Sequence, residues 1–239
     1  MKITRRFTSV AAGSVLWEQG NTVLWCTAAI SAEVPPWFGA DRPGGWITAE
    51  SVMLPASTPN RKAWPKIGHT DSRGTEIQRL IGRCLRAVID LTKIGPHTVA
   101  VDCQVLQADG GTRTAAICGA YTALVDALAT LPEKLPEFHK RFTNDVAHYA
   151  PKDALVDQLA AVSTGIVDGE VRLDLDYHDD SRADVDMNVA CTAGGKFVEM
   201  QGSAEGAKGF GRDRMLEMID LAVLGCDQLM QKQREALNP

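Results

Sequence analysis

Two stretches of this chain carry side chains whose types and spacing could do chemistry on phosphate esters. In the first, Asp109-Gly110-Gly111-Thr112-Arg113-Thr114, two adjacent glycines precede a predicted helix start. N–H groups in a helix's first turn lack intrahelical acceptors, and glycine leaves them open to an anion with no Cβ in the way. Arg113 adds to the pattern, because a cation in the first turn opposes the helix macrodipole unless an anion lies beside it. The same residues also fit an ordinary tight turn in which Arg113 pairs with Asp109. Arg73, just ahead of the cap of an earlier predicted helix, could share an anion through its bidentate fork, or could be a solvated loop arginine.

The second stretch, Leu173 to Asn188, contains Asp174, Asp176, Asp179, Asp180, Asp184 and Asp186. Leu173, Leu175 and Tyr177 alternate with Asp174 and Asp176, and Val185, Met187 and Val189 alternate with Asp184, Asp186 and Asn188, so both arms read as strands of a hairpin-like region. A wet face of an antiparallel sheet would account for most of these acids. Carboxylates at a strand end facing a phosphate cradle would instead bind a divalent cation through hard oxygens or deliver a proton to a leaving group. The histidines show no HxxxH or HExxH spacing, which argues against zinc.

The predicted elements set these stretches in a frame. Gly13 to Glu18 and Thr22 to Ser31 flank a Gly20-Asn21 turn as a hairpin, and Trp46 to Leu54 reads as a further strand. Pro55 to Arg73, with Arg61, Lys62, Trp64 and Lys66, reads as a basic surface loop and a first candidate for touching RNA. Ile77, Leu80, Ile81, Cys84, Leu85, Val88 and Leu91 fall at helical spacing behind a Thr75/Gln78 capping box, with Arg79 on the polar face. His97 to Gln107 is a Val-rich strand, and Arg113 to Leu131 is a helix apolar on all sides, hence buried. Strands follow at Ala160 to Val167, Glu170 to Tyr177, Ala183 to Thr192 and Lys196 to Gln201, with turns at Asp168-Gly169 and Gly194-Gly195. An amphipathic helix from Arg212 to Ala236 ends the pattern, with Met215, Leu216, Ile219, Ala222, Val223, Cys226, Leu229 and Met230 on its apolar side. This order predicts an α+β plan of mixed sheets with packed helices, as one domain over 1–239.

Composition narrows the functional classes. At 45% apolar and 23% charged residues the chain is an ordinary globular one. Its formal net charge of −5 excludes a surface that grips nucleic acid everywhere, so RNA contact must come from local arginine clusters. Six cysteines without a CxxC pair interrupt apolar segments, as buried free thiols do, which points to a reducing cytoplasm. Arg5-Arg6 resembles a twin-arginine signal only superficially, since the apolar stretch behind it is short and interrupted by Glu18. No apolar run approaches the roughly 20 residues of a membrane-spanning helix.

Three of these segments, Glu76 to Arg83, Gln107 to Ala115, and Asp180-Ser181 through Val189, closely resemble the ribonuclease PH family in sequence and in order. Gly45 to Glu50, Met53-Leu54-Pro55, Glu199 to Gly202 and the final helix extend the likeness over nearly the whole chain. The resemblance implies the ribosomal protein S5 domain 2-like fold. It also implies phosphorolysis: inorganic phosphate, as co-substrate, attacks the 3′-terminal phosphodiester of a transfer RNA precursor and releases a nucleoside diphosphate. It assigns Arg73, Gly111, Thr112 and Arg113 to phosphate and Asp180 and Asp186 to catalysis with magnesium. Asp186 is alternatively the proton donor to the leaving 3′-oxygen. Arg61, Lys62 and Arg79 are the expected RNA contacts, and a homohexamer built as a trimer of dimers is the implied assembly, acting in transfer and ribosomal RNA processing. Two other readings compete: a catalytically silent RNA-binding ring subunit, and a hydrolytic metal phosphoesterase that needs no arginine-lined phosphate pocket.

Overall fold

The computed structural model describes residues 1–39, 42–64, 72–140, 146–205 and 209–238. Two sheets enclose a layer of helices. The first sheet contains β1 (Lys2–Arg5), β2 (Gly13–Gln19), β3 (Thr22–Ser31), β4 (Trp46–Met53) and β5 (Thr98–Gln107), in the order β1-β2-β3-β5-β4. It is mixed: β4 runs parallel to β5, with Trp46 opposite Thr98, and the other pairs are antiparallel. The helix α1 (Ser72–Ala87) is the crossover that parallel pairing of neighbouring strands requires. The second sheet, β6 (Leu159–Val167), β7 (Glu170–Leu173), β8 (Val185–Thr192) and β9 (Phe197–Ala204), is wholly antiparallel in the order β7-β6-β8-β9.

Between the sheets lies α2 (Thr112–Leu128), which packs on β2, β3 and β5 on one side and on β6 and β8 on the other. Its all-round apolar sequence has this cause, since a helix with sheet on both sides needs no wet face. Gly119 permits the close approach, because a Cβ there would sit 2.7 Å from Cys26 Sγ. Two short helices follow, α3 (Glu137–Lys140) and α4 (Tyr177–Asp180), and α5 (Arg212–Leu237) closes the chain against β6, β7 and β8. One apolar core joins both sheets, with Trp17, Leu24, Ile81, Ile117, Leu124, Leu159 and Met218 fully buried in it.

Several expectations need correction. The Thr75/Gln78 capping box does not start α1, because the helix is already under way at Ser72 and Thr75 lies inside it. Arg73 is therefore a first-turn residue rather than a loop residue. The strand expected over Glu170 to Tyr177 stops at Leu173: Asp174 takes a left-handed backbone (φ 58°), and Asp176 then caps α4 by accepting the Asp179 N–H at 2.8 Å. On α5, Met215 and Leu216 are exposed, while Met218 and Gly225 join Ala222, Cys226, Leu229 and Met230 against the sheet. All six cysteines are buried free thiols.

Gln233 was not expected in the core, yet it is fully buried on α5. Its amide donates to Leu159 O at 3.1 Å and Cys118 O at 3.3 Å and accepts from Gln158 Nε2 at 2.9 Å, tying α5 to β6 and α2. Gln233→Leu would keep the volume and strand these partners, at about 1–3 kcal/mol for each group left unsatisfied. A thermal melt should show Tm lower by roughly 3–10 °C, and an unchanged Tm would remove the amide from the stabilising contacts.

Candidate active site

At the C-terminal end of β5 the chain turns through Gly110 (φ 73°) and Gly111 (φ 54°) into α2. Left-handed backbone at two successive positions favours glycine. Gly110 is constrained further, because a Cβ there would overlap the Leu175 carbonyl oxygen and the backbone of Asp176. The turn is pinned from the hairpin side by Thr22, whose hydroxyl donates to Gly110 O at 2.8 Å and accepts the Asp109 N–H at 2.9 Å. Asp109 bridges the two sheets: Oδ2 accepts from Asn21 Nδ2 at 2.9 Å and Oδ1 from the Tyr177 N–H at 3.2 Å.

Above this turn opens a cleft of about 600 Å³. Its lining includes Arg73, Gly111, Thr112, Arg113, Asp180 and Asp186, so the residues expected at phosphate and at catalysis share one cavity, with Lys62 at its edge. Arg61 is exposed outside this lining. Arg79 lines a neighbouring groove with Glu76, Arg83 and Glu199. His69 and Lys66 fall outside the described residues.

The helix start has the features of an anion site. Gly111 caps α2 without a side chain, so the first-turn N–H groups receive no side-chain acceptor. Arg113 does not pair with Asp109. Its Nη2 donates to Glu76 Oε2 at 3.0 Å, and Glu76 is held in turn by Gln201 Nε2 at 3.3 Å. Arg113 Nε is buried and has no hydrogen-bond partner among the described residues. A buried charged donor left without an acceptor is costly, and the guanidinium that carries it lines the cleft, where an anion would offset its charge. Nothing in the sequence announced Glu76, which lies 37 residues from its partner.

The six aspartates separate into distinct tasks. Asp179 pairs with Arg172 at 2.7 Å and faces Arg182 at 3.6 Å, contacts that hold its carboxyl below the usual range. Asp176 is spent on the cap, and Asp174 accepts from Gln19 Nε2 at 2.7 Å while burial raises its pKa. Asp184 does not line the cleft; Asp180 and Asp186 do. Burial, and then the neighbouring Asp186 charge, raise the Asp180 pKa, opposed by Arg73 and Arg113. Asp186 sits on β8 opposite Ser203, which donates to its Oδ1 at 2.7 Å. A carboxylate whose charge is destabilised by a neighbouring carboxylate makes, with that neighbour, a suitable donor set for a hard cation. Among the described residues the one cluster of three such groups is Asp176, His178 and Asp179, of which Asp176 is engaged in the cap and the half-buried Asp179 in the arginine pairs.

Comparison with known proteins gives the family of the chain. Residues 1–129 match the model of the 3′ exoribonuclease family, domain 1, and residues 157–224 that of the same family, domain 2. The chain is 51% identical over 244 residues to a ribonuclease PH of Mycobacterium sp. (strain KMS), covering 100% of this chain and 86% of that one. It is 49% identical over 238 residues to the ribonuclease PH of Corynebacterium efficiens, covering 99% and 91%. Among solved structures, a chain of the Archaeoglobus fulgidus exosome with RNA bound to the active site superposes with a TM-score of 0.73 at 22% identity, over 97% of this chain and 87% of that one. A chain of an archaeal exosome core gives 0.70 at 21%, over 98% and 85%. The last two establish a shared fold, and the first four, spanning nearly every residue from the hairpin to α5, establish kinship: the chain belongs to the ribonuclease PH family of 3′ exoribonucleases.

Proposed function

We propose that this chain is a phosphorolytic 3′-to-5′ exoribonuclease, a phosphate-dependent nucleotidyltransferase that trims the 3′ ends of transfer RNA precursors. The observation that carries this reading is that the Arg113 guanidinium, whose Nε has no hydrogen-bond partner among the described residues, lines the same cavity as Asp180 and Asp186 at the start of α2. A hydrolytic phosphoesterase has no use for a second anion site, and a silent subunit has no use for the acid pair.

In this reading inorganic phosphate lies against the α2 first turn, held by the N–H groups after Gly111, the Thr112 hydroxyl and the guanidinium groups of Arg113 and Arg73. These donors offset the repulsion between the phosphate and the RNA it attacks, which is otherwise a main barrier to bringing two anions together. A phosphate oxygen bonds to the phosphorus of the terminal phosphodiester, the bond from phosphorus to the 3′-oxygen breaks, and a nucleoside diphosphate leaves. The shortened RNA keeps the 3′-oxygen, which takes up a proton, from solvent where Asp186 holds the metal or, in the alternative role, from a protonated Asp186, whose Oδ1 accepts from Ser203. Asp180 and Asp186 would together hold Mg2+, whose chemistry when bound is to neutralise charge on the reacting phosphoryl group. Lys62, Arg61 and Arg79 would meet the RNA backbone. A homohexameric ring, a trimer of dimers, would gather such small cation clusters around one RNA path, which lets an acidic subunit bind RNA. No helix among the described residues is long and apolar enough to cross a membrane. Six reduced, buried cysteines suit the cytoplasm.

Shortening of an RNA tail should require inorganic phosphate and yield nucleoside diphosphates; release of monophosphates without phosphate would overturn the reading. Arg113→Ala should raise the phosphate KM at least tenfold, and Asp186→Ala should abolish turnover while RNA binding, read by filter retention, persists. An unchanged phosphate KM in Arg113→Ala would remove Arg113 from the phosphate site.

The Asp180 carboxyl generates a pH prediction. Its raised pKa means that it keeps its proton to higher pH than an ordinary aspartate, and proton and cation compete for it. As pH falls toward that raised value, the Mg2+ concentration for half-maximal activity should rise, beginning above the usual carboxylate range. Arg73→Ala, which removes an opposing charge, should move this onset to still higher pH, and a shift in the other direction would contradict the assignment.

A further inference from the structure

Tyr177 is the first residue of α4, lines the cleft, and leaves 65% of its surface exposed. The pattern of its sequence neighbourhood predicted the opposite, an apolar strand position beside Leu173 and Leu175. Among the described residues it stacks on no other aromatic group, and its hydroxyl has no hydrogen-bond partner. Its backbone, by contrast, is firmly held: the N–H donates to Asp109 Oδ1 at 3.2 Å and the carbonyl accepts the Ser181 N–H at 3.0 Å. The ring therefore stands on a fixed post between the phosphate turn and the acid pair, three residues before Asp180 on the same face of one helical turn.

A planar apolar ring held open at the edge of a polar cleft has the chemistry of a base platform. Stacking is tolerant of base identity because every base has a π-face, which suits an enzyme that must accept whichever nucleotide comes to the 3′ end. We propose that Tyr177 stacks on the 3′-terminal base of the RNA and so sets the terminal phosphodiester between the phosphate turn and Asp180 and Asp186. This rests on the exoribonuclease reading given above.

The test pairs two variants of the full chain, Tyr177→Ala and Tyr177→Phe, with two RNAs, one intact and one lacking the base of its 3′-terminal nucleotide. On intact RNA, Tyr177→Ala should raise the RNA KM roughly tenfold or more, leaving the phosphate KM and the Tm unchanged, and Tyr177→Phe should match the native chain. On the abasic RNA the native chain and Tyr177→Ala should be equal, because the partner of the ring is gone. An RNA KM unmoved by Tyr177→Ala, or a penalty that persists undiminished on abasic RNA, would overturn the proposal. If the native chain shows no phosphate-dependent shortening, the exoribonuclease reading fails by itself. Fluorescence anisotropy with the same two RNAs then reads stacking directly, as a tenfold weaker Kd of Tyr177→Ala for intact RNA only; equal values would overturn it.

Discussion

The close approach of Gly110 to the backbone of Leu175 and Asp176 is the constraint on which the rest of the site depends. It is possible only with no Cβ and with a left-handed backbone, and it brings the turn that opens α2 from the first sheet against the segment that leaves β7 in the second. Asp109 reinforces it with one carboxylate shared between Asn21 and the Tyr177 N–H. Once those two chains of backbone are locked together, the N-terminus of α2 and the short helix bearing Asp180 must face the same cavity. The strained left-handed Asp174 is part of the same arrangement: its N–H donates to Ser163 O at 2.7 Å, and its carboxylate is held by Gln19 from the first sheet. Strain of this kind persists where surrounding contacts over-determine it, as they do here.

Much of the fold was legible because its signals are local. The Gly20-Asn21 turn between two Val- and Trp-containing runs marks β2 and β3 within a residue, and Asp168-Gly169, with φ of 52° and 82°, is a hairpin turn that alternation on either side announces. The uniform apolarity of α2 predicted burial, although not that two separate sheets would provide it. What misled was alternation over Asp174 to Tyr177, which carries the right period for a strand but is broken by contacts from the other sheet. Asp176 instead caps α4, a local role that the alternation around it hides. Gln233 is a different failure. Its position continues the apolar stripe of α5 by one turn, yet a glutamine there reads as polar surface unless its three partners are known.

At the site, residue types were legible and pairings were not. Arg113 could be recognised as electrostatically odd at a helix start, but its partner Glu76 comes from α1 and is itself braced by Gln201 from β9. The consequence is chemical. Glu76 occupies Nη2 of Arg113 and so fixes the plane of the guanidinium, while Nε has no acceptor among the described residues. An arginine wholly satisfied by carboxylates would have no donor left for an anion, and one with no carboxylate beside it would be free to swing out into solvent. The single side pairing gives orientation without saturation, which is the condition a phosphate site needs.

The division of the chain into two family units follows the same logic. Residues 1–129 hold the α2 start, Arg73 and Arg113, and residues 157–224 hold Asp180, Asp186 and Tyr177. The donors proposed to hold the anion and the acids thus belong to different units, and residues of both line the cleft. At the cleft the first unit supplies Arg73, Arg113 and helix amides beside Asp109, and the second supplies Asp180 and Asp186. Joined, the arginines lower the cost of charge on the Asp180 carboxyl, opposing its desolvation and the charge of Asp186. The apolar core that runs through α2 from one sheet to the other is what keeps this charge arrangement rigid, so the burial of a helix that carries no chemistry of its own along most of its length positions the chemistry at its first turn.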